Sequence, residues 1–469
     1  MTAGPTFSDI LTAIARGWCG NKADEPVLSL ALPIHGVDPL YKLPVIAAKE
    51  KFRFLWDGAP GRCLAASGRC QHFDLSGPRR FELAQRFSDV SLGRLIDVMP
   101  EAPSYCNPRI LLAFSFFEQT SERKRTQGLP PAVQAVLPRW QLSQQGQKCW
   151  LRLTAVATHE AEARELAEQL WLMRERLTQK SEKEERSSTN IGSGLSFPQQ
   201  WQDCYRPALI RGIELVNNGS LDKLVLAVRQ SIWLETPLDP LRMLSRLRRQ
   251  QPGSCRFLWQ RSQDESFFGA SPERLISLRK GQLQIDALAG TATREDGAKS
   301  LLRSEKDLRE HELVVASITS QLLSQGLDPR RTRQPQLARH GQLVHLHTPI
   351  NALSRGKSPL SLVGALHPTP AVAGLPRREA MSWLRTLEPF ERGSYAAPIG
   401  WIDSSGNAEF RVAIRCGNAR GNELELTAGA GLVKGSIAHK ELKEVGLKLA
   451  VLADQLDLQS KRSSSRSIT

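Results

Sequence analysis

Between residues 223 and 428 the chain carries a succession of short strand-like runs, several of which follow one another without a helix between them. They are Lys223–Trp233, Cys255–Gln260, Phe267–Ala270, Leu275–Leu278, Leu283–Leu288, Val344–Leu346, Ala396–Ile402, Phe410–Cys416 and Glu423–Ala428. Helical periodicity is confined there to Pro240–Gln250, Ala298–Ser324, Arg377–Thr386 and Ser436–Leu456. Consecutive strands pair most readily as hairpins, so the pattern predicts an α+β fold with much antiparallel sheet and excludes alternating βαβ units. Upstream, FRFLWDG and GRCLAASG predict short strands. Glu160–Leu177, with Leu166, Leu170, Met173 and Leu177 at helical spacing, predicts an amphipathic helix. The stretch QKSEKEERSSTNIGSG has no apolar period and reads as a linker or exposed crossover. The expected organisation is an N-terminal α/β lobe over 1–178, a connection over 179–194, an α+β domain over 195–457 and a disordered tail over 458–469.

Composition narrows the function. The 469 residues are 41% hydrophobic and 24% charged, ordinary for a globular chain. The longest uncharged stretch, Ser358 to Pro376, is interrupted by prolines, His367 and hydroxyls, so no membrane span is expected. No signal or transit peptide is expected either, because no basic region precedes the first apolar residues. None of the eight cysteines forms a CxxC pair, which argues for free thiols and a cytoplasmic setting. The net charge of +15 lies mostly after residue 200 and suits nucleic acid, an anionic surface or a small anionic substrate. The basic runs carry no interleaved aromatics, so a stacking platform for single strands is not expected.

Single motifs are ambiguous. Gly429-Ala430-Gly431-Leu432-Val433-Lys434 begins like a dinucleotide loop, but Lys434 takes the third glycine position. Its glycines serve either a tight turn or close approach of a ligand to backbone. His345 and His347 share one strand face and lack a third metal ligand nearby in sequence. Asp307 and Glu310 lie on one helical face, as do Glu441, Glu444 and Lys448 on another. Each face alone is a solvated surface. Brought together, the carboxylates would form a hard oxygen site suited to Mg²⁺.

The segments LDKLVLAVR (221–229), FFGASPERL (267–275), ALAGTATR (287–294), SEKDLREHELVV (304–315), LVHLHTPI (343–350), LHPTPAVAGLP (366–376), EPFERGSYAAPIGWID (388–403), EFRVAIRCG (409–417) and ELTAGAGLVKGS (425–436) settle the matter. In this order they resemble the chorismate-utilising enzymes: isochorismate synthase, salicylate synthase, anthranilate synthase component I and aminodeoxychorismate synthase. The resemblance implies two subdomains whose large sheets enclose the active site, with helices outside. It implies Mg²⁺ and chorismate, a substrate with two carboxylates. Glu310 and Glu444 correspond to metal-bridging positions, with Asp307 and Glu441 behind them. Arg415 and Lys448 correspond to positions that hold substrate carboxylates. Gly290, Thr291, Gly429, Ala430 and Gly431 correspond to backbone lining the substrate, and His345 and Tyr395 to further pocket positions. No nucleic acid, membrane or glutamine amidotransferase partner is expected.

Two positions discriminate within the family. Lys223 stands where water-adding members carry a lysine base and ammonia-using members usually carry glutamine. Ala289 stands where aminodeoxychorismate synthases carry a nucleophilic lysine. Both point to water as nucleophile and to an isochorismate synthase, an isomerase feeding menaquinone, phylloquinone or siderophore synthesis. A salicylate synthase is the alternative, and a non-enzymatic basic binding protein a remote one. Glu273 corresponds to the general acid. A useful lysine base titrates near about 7–8, roughly 3 units below a free lysine, which costs about 4 kcal/mol. The apolar neighbours Val225 and Ala227 on the same strand face suit that shift. Ala397 and Ala352 stand where the family often has glycine, and Ala438 where it often has proline.

Overall fold

The computed structural model describes residues 6–18, 26–59, 61–99, 102–119, 129–179, 191–196, 198–294 and 298–460. Among the described residues two large sheets, of fourteen and ten strands, form the architecture, and all but two strand pairs are antiparallel. The elements that build the site are, in chain order, β1 (Lys223–Leu234), β2 (Glu265–Ser271), β3 (Arg274–Arg279), β4 (Gln282–Thr293), α1 (Glu305–Ser324), β5 (Leu343–Leu353), β6 (Ala408–Val412), β7 (Cys416–Arg420), β8 (Glu423–Val433) and α2 (Ala438–Ala453). In the larger sheet β1, β8, β7 and β2 lie side by side. In the smaller one β5, β4, β3 and β6 do.

Both sheets draw strands from both halves of the sequence. Cys255–Gln260, beside β2, pairs with Arg53–Ala59 in the larger sheet. Pro398–Asp403, beside β6, pairs with Arg109–Phe114 in the smaller one. The stretch 179–194 therefore does not divide the sheets, and residues 180–190 of it lie outside the described residues. Part of the expected disordered tail is strand. Asp457–Ser460 forms an edge strand parallel to Ser193–Ser196, so residues 458–460 are ordered by backbone pairing, while 461–469 lie outside the described residues.

Local chemistry explains the other departures. The predicted helix Ala298–Ser324 is two helices, because the Ser304 hydroxyl accepts from Asp307 N at 3.2 Å and starts α1 afresh. Val315, Ile318 and Leu322 bury one face of α1, and Val445 and Leu449 one face of α2. Each such side chain contributes about 1.5–3 kcal/mol relative to exposure. The predicted strand Phe410–Cys416 is β6 and β7, in different sheets, with a corner between them where Arg415 adopts φ +52°. Ala397 is not among the residues at positive φ; its neighbour Ala396, at φ +60°, is. No helix of the described residues is long and apolar enough to cross a membrane. The cysteines among the described residues are all free.

Candidate active site

The chain passes directly from one sheet to the other at two places here. β2 leads into β3 through Pro272 and Glu273, and β6 into β7 through Ala413 to Arg415. The crossings are stitched together. The Ser271 hydroxyl donates to Val412 O at 2.6 Å, Val412 N to Glu273 O at 3.2 Å, and Ala270 N to Arg415 O at 3.0 Å. Sheet-to-sheet corners thus fix the backbones of a carboxyl and a guanidinium. Both residues are buried.

Glu273 has little to stabilise a charge. Thr369 Oγ1 donates to its Oε1 at a long 3.5 Å. Burial pushes its carboxyl up to about 8, with Asp286 adding and Lys223 and Arg415 opposing. It is therefore a neutral acid at pH 7, able to give a proton. The Arg415 guanidinium makes no hydrogen bond or ion pair among the described residues. Burial lowers its pKa only from a very basic value, so it stays a cation awaiting an anion. Its left-handed backbone is a strained conformation held by the corner.

Lys223 opens β1 and is 1% exposed, and its Nζ donates to Glu310 Oε1 at 2.9 Å. Glu310 comes from α1. The two meet over Gly431 of β8, which opposes Val225 in the ladder. A Cβ there would fall 2.5 Å from Glu310 Oε1 and 3.2 Å from Lys223 Cε, so the glycine gives room for the pair. What approaches Gly431 is thus a pair of the chain's own side chains, a third use beside the tight turn and the ligand approach read from the GAG sequence.

On α2, Glu444 pairs with Lys448 at 2.6 Å, and Lys448 also donates to Gly429 O at 2.8 Å. Burial works against its charge, but Lys448, Lys306 and Arg415 hold the Glu444 carboxyl below its usual range. Lys448 is thus tied to its helix and to β8. Lys306 of α1 bridges to Glu441 of α2 at 2.6 Å, so the two acidic helix faces do meet. Burial and Glu444 raise Glu441 despite Lys306. Lys306 was not singled out in the sequence, although it adjoins Asp307. Four carboxylates, from Asp307, Glu310, Glu441 and Glu444, are hard oxygen donors on the two bridged helices. Glu441 Oε2 is buried without a hydrogen-bond partner among the described residues. No group of three His, Cys, Asp or Glu there could cage an ion. The set fits Mg²⁺ held by one or two carboxylates and completed by water and substrate oxygens, not a closed protein cage.

The opposite wall comes from the smaller sheet. Gly290, at φ +71°, is the extra residue of a bulge in β4 between Ala289 and Thr291. His345 of β5 has Nδ1 at 3.2 Å from both Gly290 O and Thr291 Oγ1. Because a carbonyl only accepts, that bond assigns the proton to Nδ1 and leaves Nε2 a lone-pair acceptor, buried and unpartnered among the described residues. Burial, then Arg415, keeps the ring neutral. His347 turns away to Asp286, at 3.0 Å, so the two histidines do not form a metal pair. Tyr395 is buried and its phenol held protonated by that burial. Gly429 and Ala430 lie in β8 opposite Ala227 and Leu226. Ala289 is buried beside the bulge and offers no amine. The site thus combines a buried lysine, a neutral carboxylic acid, an unpaired arginine and a bridged carboxylate cluster between two sheets.

Comparison with known proteins bears on the family and the fold. The family described as "Chorismate binding enzyme" matches residues 12–457. A "Salicylate biosynthesis isochorismate synthase" of Pseudomonas aeruginosa is 38% identical over 52% of this chain and 52% of its own length. Isochorismate synthase MenF of Bacillus subtilis is 36% identical over 54% and 56%. Isochorismate synthase EntC of Escherichia coli is 33% identical over 58% and 71%. The match thus spans little more than half the length of the first two. Among solved structures, the menaquinone-specific isochorismate synthase MenF of Escherichia coli superposes with a TM-score of 0.73, covering 96% of this chain and 99% of that one at 24% identity. Anthranilate synthase component I of Streptococcus pneumoniae gives 0.69, covering 86% and 92% at 18% identity. The likeness in fold extends over 96% of the chain, and with the family match running from residue 12 to 457 the chain belongs to the chorismate binding enzymes.

Proposed function

We propose that the chain is an isochorismate synthase, an isomerase that adds water at C2 of chorismate and expels the C4 hydroxyl. One observation carries the reading: a buried lysine on the larger sheet lies within electrostatic reach of a buried carboxyl at the corner between the two sheets, whose pKa burial raises to about 8. Relatives named isochorismate synthases support it. As the free amine, Lys223 takes a proton from the water whose oxygen bonds to C2. The ring double bonds shift and the C4–O bond breaks. The Glu273 carboxyl gives its proton to the departing oxygen, which leaves as water. Proton return from Lys223 to Glu273 through solvent closes the cycle. Arg415 pairs with a substrate carboxylate. His345 Nε2 accepts from a substrate hydroxyl, and the Tyr395 phenol donates. Glu310 and Glu444 would hold Mg²⁺, with Asp307 and Glu441 behind them, and the ion would neutralise and orient the ring carboxylate.

The test is incubation with chorismate and Mg²⁺ and chromatographic separation of products. Isochorismate with its enolpyruvyl group intact is expected. Salicylate plus pyruvate would make this a salicylate synthase, and unchanged chorismate would overturn the reading. Stripping with EDTA should abolish turnover and added Mg²⁺ should restore it; activity that survives EDTA removes the metal role. The reading extends to quinone rather than siderophore supply, supported by AVAGLP, EPFERGSYA and the full-length fold match. Rescue of a menaquinone-deficient strain checks that step.

A further inference from the structure

Two motifs of the sequence, AVAGLP and EPFERGSYA, carry neither a metal donor nor the proposed acid, yet they converge on the strand that carries Lys223. β8 covers one edge of β1 along its length. Beyond the reach of Ser193–Ser196, the other edge at Lys223–Ala227 has, among the described residues, only a two-residue strand, Gly374–Leu375, against Lys223 and Leu224. Asp222 N donates to Leu375 O at 2.9 Å and Val225 N to Ala373 O at 2.7 Å. Gly374, at φ +149°, is obligatory there, since a Cβ would lie 2.3 Å from Lys223 O. The pairing then passes from backbone to side chains. Ala227 N donates to Glu388 Oε1 at 2.8 Å, and the Arg392 fork donates to Val225 O and to Val372 O, both at 2.7 Å. Glu388 and Arg392 are themselves ion-paired and 1% exposed. A carboxylate and a guanidinium thus stand in for the missing strand.

We propose that the Glu388–Arg392 pair positions the general base: it locks the register of the Lys223 strand against the segment Thr369–Leu375, whose Thr369 reaches the acid Glu273. The inference rests on the isochorismate synthase reading for what Lys223 does, but the lock itself is a matter of backbone geometry. A buried ion pair is a poor stabiliser compared with a packed apolar pair, so its use here calls for a role in precision. A guanidinium can hold two carbonyls and a carboxylate at once, whereas an ammonium is a single point charge. Displacing a base by about 1 Å can cost about 100-fold in rate.

The test is Arg392→Lys, which keeps the charge and the pairing with Glu388 but loses the fork. The expected result is a kcat lowered about 10–100-fold per folded enzyme, a KM within about 3-fold of the parent, and faster amide exchange at Val225 and Ala227. Arg152→Lys serves as the control, because Arg152 is equally buried but binds Ser29, Asp97 and Cys106 in the N-terminal half. It should lower the melting temperature and leave kcat unchanged. Glu388→Gln, which retains an oxygen for Ala227 N, should keep more activity than Glu388→Ala. A parental kcat in Arg392→Lys, or a loss matched by Arg152→Lys at equal destabilisation, overturns the proposal. Should the parent enzyme leave chorismate untouched, the functional reading fails by itself, and exchange at Val225 and Ala227 still decides whether the pair locks the strand.

Discussion

At the residue scale the site is a contest between burial and charge. Glu273 loses that contest and stays protonated, with a pKa near 8. Its acid form is present below that value and lost as pH rises through it, so turnover should fall above about pH 8. Glu273→Gln should bind chorismate and turn over at least about 100-fold more slowly, the usual worth of a general acid. Stability should move the opposite way. The folded pKa lies above the unfolded one, so the native carboxyl is progressively penalised between about pH 4.5 and 8 as the unfolded chain ionises first. Replacing it with an amide should therefore stabilise the protein by about 1–3 kcal/mol at pH 7 and by less at pH 5, measured by urea unfolding at both. A pH-independent difference would show that Glu273 is ionised in the folded state. Lys223 is the contrasting case, a buried amine whose Nζ lies 2.9 Å from Glu310 Oε1. Lys223→Gln retains a donor for that carboxylate and should fold, but lose about 100- to 10,000-fold in rate, as expected when a general base is removed. Isochorismate made at the parental rate would assign the base elsewhere. As candidates, Lys223 and Glu273 were legible from motif position alone. Lys306, Thr369 and Asp286 were not, because what matters about each is a partner that only the folded chain brings near.

At the element scale, glycines decide which helices can approach which strands. Gly431 and Gly374 both lie against the Lys223 strand, yet they should respond differently to alanine. At Gly431 the new Cβ meets the ends of two side chains, Glu310 and Lys223, which can swing aside. Gly431→Ala should therefore cost under about 1 kcal/mol in stability while breaking the ion pair, and lower kcat about 10- to 100-fold. At Gly374 the Cβ meets backbone at 2.3 Å in a left-handed conformation, so Gly374→Ala should destabilise the whole molecule by about 2–4 kcal/mol. Thermal melts and kinetics on the two variants check the contrast, and equal destabilisation would remove it. Strands and helices of the C-terminal part were readable because apolar period survives in sequence. What period cannot show is where a strand changes sheet. Phe410–Cys416 reads as one run, although Arg415 turns it through a corner at φ +52°. The break before α1 was equally hidden, since Ser304 acts as a cap only once its hydroxyl meets Asp307 N.

At the scale of the whole molecule, the sequence suggested a lobe and a catalytic domain, whereas the strands interleave. A boundary reads as a loss of apolar period near residues 179–194, but pairing between distant strands leaves no mark on composition. The consequence is energetic. Removing residues 1–178 would strip Arg53–Ala59 from Cys255–Gln260 and Arg109–Phe114 from Pro398–Asp403. Both newly exposed strands are buried along their entire length, CRFLWQ in one sheet and PIGWID in the other. Uncovered apolar edges of this kind template intermolecular pairing. The lost partners Phe54, Leu55, Leu111 and Leu112 are themselves buried, and at about 1.5–3 kcal/mol per side chain these four alone approach the net stability of an ordinary domain. A fragment spanning residues 195–469 should thus carry every proposed catalytic and metal residue and still fail to fold, appearing in inclusion bodies or as soluble aggregates without chorismate turnover. Full-length protein should unfold in a single transition, with intrinsic fluorescence from Trp56 in the N-terminal half and Trp259 in the C-terminal half changing together, each followed in a variant whose other tryptophans are phenylalanine. Two separate transitions, or an active monomeric fragment, would show that the C-terminal part folds independently and that the shared sheets are an attachment rather than a requirement.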